Sequence, residues 1–134
     1  MNITHFDDLL QAARQQPEPQ RLLFVLTRPE LPDDATAEQK AAFEAGHGGA
    51  LVPAACVDRT PEELASFAAF AAESGPFCHD WVIVFAAGLS GRNGQSPSAE
   101  SAQGPLEQMV AAIKAGQIGN FLSFDRRGDV IRLA

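Results

Sequence analysis

Little in this 134-residue chain is cationic, sulfur-bearing or continuously apolar. Lysine and arginine together number 10 against 17 aspartates and glutamates, a formal net charge of -7. Nucleic-acid binding is driven by clustered cations that neutralise phosphates, so this balance argues against nucleic acid as a partner. The two cysteines, Cys56 and Cys78, do not make a secreted disulfide framework. No apolar run approaches the roughly 20 residues of a membrane helix. The opening "MNITHFDDLL" lacks the basic segment and apolar core of a secretory leader. The expectation is a cytoplasmic protein with reduced thiols and no membrane partner.

What is present suits one folded domain over residues 1–134. Hydrophobic residues make up 46% and charged residues 20%, and a chain of this length buries roughly two-thirds of its unfolded surface without staples. Residues 4–13 read as a helix capped by Thr4, with Phe6, Leu9, Leu10 and Ala13 on one face. "LLFVL", residues 22–26, is apolar at every position, as in a strand covered on both faces. Thr36 and Gln39 form a capping box for a second helix, alanine-rich, anchored by Phe43 alone and therefore loosely attached. Residues 49–58 read as a strand in which Pro53 marks an edge or a bulge.

"TPEELASFAAFAAESG" predicts a helix capped by Thr60 and Glu63, with Leu64, Phe67, Ala68 and Ala71 buried. Phe77 reads as packing, and the face that Phe70 serves is left open. "WVIVFAA", residues 81–87, is a second buried strand led by a core Trp81. Pro105 begins a last helix bearing Leu106, Met109, Val110 and Ile113. "NFLSF" and "VIRL", joined by "DRRG", predict a C-terminal β-hairpin. The class is α/β, with about four helices and about five strands in a mixed sheet, in two or three layers.

Chemistry is harder to find. Gly88, Ser90, Gly91, Arg92, Asn93 and Gly94 lie between a strand and a helix, where many proteins hold phosphate. The P-loop lysine and hydroxyl are missing, GxGxxG is not formed, and about ten residues separate the glycines from the helix that should face the anion. "GLSGR" falls short of a nucleophile elbow because Arg92 stands where a tight turn needs glycine, and no histidine follows His79 to serve as base. Cys56, Cys78 and His79, with His47, offer thiol or metal chemistry, but without CxxC or HxxxH spacing. Arg126, Arg127 and Arg132 beside Asp125 and Asp129 read as a solvated turn.

"FDDLLQAARQQPEPQRLLFVL", "VDRTPEEL" and "FDRRG" together resemble a family of small proteobacterial proteins often labelled "ribonucleotide reductase subunit alpha". The resemblance runs over nearly the whole chain and implies a bacterial source. It implies no catalytic residue here. Reductase large subunits are barrels several times this length that use at least three cysteines.

Three expectations follow. The first is a non-enzymatic domain that binds another protein through residues 36–45 and 90–104, with no cofactor; a homo-oligomer is compatible with it. The second is a small-molecule or nucleotide binder using the loop from Gly88 to Gly94, with Arg92 as the anion contact. The third, and weakest, is a thiol or metal site at Cys56, Cys78 and His79.

Overall fold

The computed structural model describes residues 2–31, 33–45 and 50–131. Its first helix, α1 (Phe6–Arg14), forms where the apolar spacing places it and buries Phe6, Leu10 and Ala13. The cap is His5, one residue later than expected. His5 Nδ1 accepts the Asp7 amide at 3.0 Å, so Nε2 is the donor to the Arg127 carbonyl at 3.0 Å. Asp8 reaches back to the amides of Thr4 and His5. The Thr4 amide, followed by the Thr4 hydroxyl, holds the Asp8 carboxyl below the usual carboxylate range.

The strand β1 (Gln20–Glu30) is the centre of the sheet and buries six consecutive residues from Leu22 to Thr27. Leu22, Phe24 and Leu26 face one core, and Leu23 and Val25 face the other. An unbroken apolar run is what strand alternation produces when both faces are covered.

Beside β1 runs β2 (Ala50–Arg59), at the edge of the sheet. The pairing register slips between Leu26 and Thr27, opposite Ala55 and Pro53. Pro53 thus stands at both an edge and a bulge. On the other side of β1 lies β3 (Ile83–Ser90), followed by the short β4 (Leu122–Phe124), giving the order β2-β1-β3-β4.

All three pairings are antiparallel, so the expected five-stranded mixed sheet is corrected to four antiparallel strands. The reason lies in the connections. The helix α2 (Ala37–Glu44) buries no residue, so the β1–β2 link is a long hairpin with a helical excursion and not a crossover. The β2–β3 link does join parallel strands, but β1 lies between them. The expected C-terminal hairpin is also cut short. Its turn forms, with Gly128 at φ +84 and its amide on the Asp125 carbonyl at 3.0 Å. Among the described residues the return limb is a single bridge from Val130 to Phe124, the rest of "VIRL" from Arg132 on lying outside them, and the chain there also bonds the N-terminal segment: Phe6 donates to the Gly128 carbonyl and Val130 to that of Thr4.

The expected helix from Thr60 is two elements. Thr60 and Glu63 form their capping box, but it closes only a 3-10 turn, Pro61–Glu63. Leu64 then takes an extended conformation and is fully buried. A new helix, α3 (Phe67–Ser74), starts with Ser66 as its cap. α1 supports the break from both sides. Arg14 Nη2 donates to the carbonyls of Pro61 (3.1 Å) and Leu64 (2.6 Å), and Asp7 Oδ1 accepts the Phe67 amide at 2.7 Å. The buried stripe becomes Leu64, Phe67, Phe70 and Ser74, leaving Ala68 exposed.

The last helix, α4 (Gln103–Lys114), begins two residues before Pro105 and covers the opposite face of the sheet. The chain is therefore three layers, with α1 and α3 on one side and α4 on the other. No helix among the described residues is long and apolar enough to cross a membrane.

Candidate functional site

The glycine loop has its own structural explanation. Gly88 and Ser90 end β3. Arg92 and Gln95 exchange amide-to-carbonyl bonds of 3.1 and 2.9 Å around Asn93 (φ +52) and Gly94 (φ +78). Two central residues in the left-handed region make a type I′ turn, for which Asn-Gly is the favoured pair. Gly91 is required because a Cβ there would collide with the carbonyl oxygens of Gln95 and Pro19. The Gly94 amide already donates to a carboxylate of the chain, Glu18 Oε1, at 2.9 Å.

The α4 N-terminus offers little to an anion. The Gln103 amide is taken by the Glu100 carbonyl and the Leu106 amide by that of Ala102, while Pro105 has no N–H. That leaves Gly104 in the first turn. A groove of about 370 Å³ remains beside the loop, lined by Leu89, Ser90, Gly91, Arg92, Ser96 and Ser101. It gathers Ser90, Gly91 and Arg92; Gly88, Asn93 and Gly94 do not line it.

The cysteines are not brought together. Cys78 is buried in the α1/α3 core, whereas Cys56 is exposed on the α4 side, with the sheet between them. Burial pushes the Cys56 thiol up; for Cys78 burial does the same, with Asp80 adding to it. Neither is set up as a thiolate nucleophile. His47 and the rest of "HGG" lie outside the described residues.

The aromatics and arginines also find places. Phe70 is buried against Phe6, Phe24 and Trp81. Phe77, expected inside, is exposed. Arg126 lies 4.6 Å over the Trp81 ring and donates to the Trp81 carbonyl. Arg127 sits 3.9 Å from both Asp125 and Asp129. These contacts organise a turn, while Arg132 falls outside the described residues.

Two further hollows lie elsewhere, along the flank of α4 beside the edge strand β2. Cys56, Asp58, Leu106, Glu107 and Val110 line a hollow of about 360 Å³ at the C-terminal end of β2. Leu51, Phe85, Ile113, Lys114 and Ile118 line a second of similar volume at its N-terminal end. Because the start of α4 meets the end of β2, the two elements run antiparallel. Leu106, Met109 and Ile113 turn into the core. Gln103, Glu107, Val110 and Lys114, at i, i+4, i+7 and i+11, form the adjacent stripe along the groove. Asp58 is bound by Arg21 at 2.7 Å, and Arg21 Nε also donates to the Pro97 carbonyl. Glu107 and Lys114 are exposed and in no ion pair among the described residues.

In the sequence Pro53 reads as an edge or a bulge and Val110 as part of the apolar face of the last helix, and neither by itself marks a groove. Comparisons of the chain with protein-family models, curated proteins and solved structures find no match.

Proposed function

We propose that this chain is a non-enzymatic cytoplasmic domain that binds another protein by taking an extended segment along the open edge of its sheet. The observation that carries the reading is the groove between β2 and α4. An edge strand presents unpaired amides and carbonyls, and a helix beside it supplies pockets for alternate side chains. That combination is the chemistry of recognition by strand addition. It moves the contact surface from residues 36–45 and 90–104 to the β2 edge.

Cys56 makes the reading testable. It is exposed inside the groove while Cys78 is buried, so N-ethylmaleimide on the native full chain modifies Cys56 selectively. A protein retained by the immobilised chain should be lost after this modification and kept by maleimide-treated Cys56→Ala. Equal retention by the modified wild type would refute the groove as the binding surface.

A second reading is a small anion or nucleotide held in the groove beside Arg92. It is favoured by the clustering of Ser90, Gly91 and Arg92 around that hollow. A ligand at 100 times its dissociation constant adds about 2.7 kcal/mol to stability. A thermal shift with a nucleotide that disappears in Arg92→Ala would move the assignment to this loop and support an association with nucleotide metabolism. A flat response across nucleotides and phosphate would remove it.

A further inference from the structure

The β2–α4 groove is polar along its length, and we infer that it selects an extended partner segment carrying a basic side chain, then an apolar one, then an acidic one, at alternate positions. This inference rests on the strand-addition reading above. At one end of the groove Glu107 is the unpaired charge, since Arg21 neutralises Asp58. At the other end the charge is Lys114. Between them lies Val110, which lines the hollow beside Cys56. Acid, apolar, base is thus the order along the helix flank, and its complement is base, apolar, acid.

The spacing agrees. Seven residues of helix from Glu107 to Lys114 rise about 10.5 Å. Alternate positions on a strand are separated by about 6.7 Å, so three same-face side chains span about 13 Å, within reach of flexible Lys and Glu ends.

The direction follows from the sheet. All three of its pairings are antiparallel, and antiparallel pairing is the slightly more stable of the two per residue. A segment antiparallel to β2 begins at the Asp58 end, so its basic residue comes first. Backbone pairing is confined to residues 55–59. Pro53 has no N–H to offer a partner, and its pairing with β1 slips beside it. The same irregularity protects the remaining edge against unselective pairing.

The test is a selection of random heptapeptides displayed on phage against the full chain. It is run in parallel on wild type and on the double variant Glu107→Lys/Lys114→Glu. Both positions are exposed, so the fold tolerates the exchange. Wild type should enrich basic–x–apolar–x–acidic segments, and the variant the reverse order. A wild-type-selected peptide should lose about ten-fold in affinity for the variant, as expected when two exposed ion pairs become repulsive. Its amide shifts should fall on residues 55–59 and 103–114. Peptides that map to these residues but show no order preference would overturn the charge polarity and leave strand addition standing. Peptides that map elsewhere, or no enrichment at all, would overturn both. A concentration-dependent dimer that shifts these same amides would overturn it in favour of a second copy of this chain.

Discussion

The two faces of the sheet are built differently. On the α1/α3 side Phe6 is surrounded by Phe24, Phe67, Phe70 and Phe124, with ring centroids 4.9 to 5.3 Å away. Trp81 closes the cluster against Phe67 and Phe70. Two helices cover this face, and Asp7 and Arg14 tie one to the elements around the other. The α4 side holds a mainly aliphatic core, Leu23, Val25, Leu106, Met109 and Ile113, with Phe85 as its one fully buried ring. A single helix covers it and leaves an open margin over β2. The first face is closed by shape and spends its polar contacts inward. The second keeps Glu107, Lys114 and Cys56 exposed along hollows that no described residue fills. The first face holds the larger aromatic core, and the second carries the proposed recognition surface.

The largest effect that would sharpen this contrast is Phe6→Ala, expected to cost about 3–5 kcal/mol by leaving a cavity among four rings. Val110→Ala on the open margin should cost under about 1.5 kcal/mol. Urea unfolding of both variants measures the difference, and equal losses would erase the division between the faces.

Next is Gly128→Ala. Gly128 sits at φ +84, and an added Cβ would meet the His5 ring at 2.7 Å and Phe67 at 2.9 Å. Gly116 shares the left-handed conformation, at φ +77, with open space around it. The conformational cost alone is about 1–2 kcal/mol, so Gly116→Ala should lose that much and Gly128→Ala clearly more. Equal shifts in Tm would show that the closed turn yields to the extra atom.

Asp7→Ala should lose about 1 kcal/mol by removing the acceptor of the Phe67 amide, while Ser66 still caps α3. Asp7→Asn, which keeps an acceptor, should recover most of it. If Asn behaves like Ala, charge and not this hydrogen bond joins α1 to α3.

The smallest effect is on acid stability. Asp8 and Glu63 both have carboxyls held below their ordinary values, mainly by the amides of Thr4 and Thr60. A depressed folded value means that the unfolded chain binds protons more readily. The contribution is therefore present above the unfolded value, near pH 4, and is lost as pH falls through the folded one. Asp8→Asn with Glu63→Gln should remove this contribution at pH 7, flatten the stability curve below about pH 4, and leave the most acidic end nearly unchanged. An unchanged acid limb would show that other carboxylates set it.

How far the sequence reveals this division depends on the range of the contacts. β1 and the core of β3 were legible because two-sided burial removes the polar alternation. α1 was legible from its 3.6-residue spacing, and Pro53 marked its strand as an edge or a bulge. The break before α3 was not legible, because the groups that support it, Asp7 and Arg14, lie some fifty to sixty residues away in the chain. The capping box at Thr60 was real but closed a shorter element. The strand count failed for a similar reason: the return limb of the last turn bonds the N-terminal segment as well as β4. For the site, the glycine run drew attention to a loop that uses its glycines for a turn and a close backbone approach. The groove gathers residues of β2, β3, α4 and the segment after α4, and of these the sequence singled out Cys56 for thiol or metal chemistry and not for a groove.

The most direct test is an amide-resolved NMR titration of the full chain with a peptide selected on it, before and after alkylation of Cys56. The expected result is shifts confined to residues 55–59 and 103–114, abolished by the alkyl group, with the α1/α3 face silent. Shifts on the loop around Arg92, or binding that survives alkylation unchanged, would contradict the assignment of recognition to the open face.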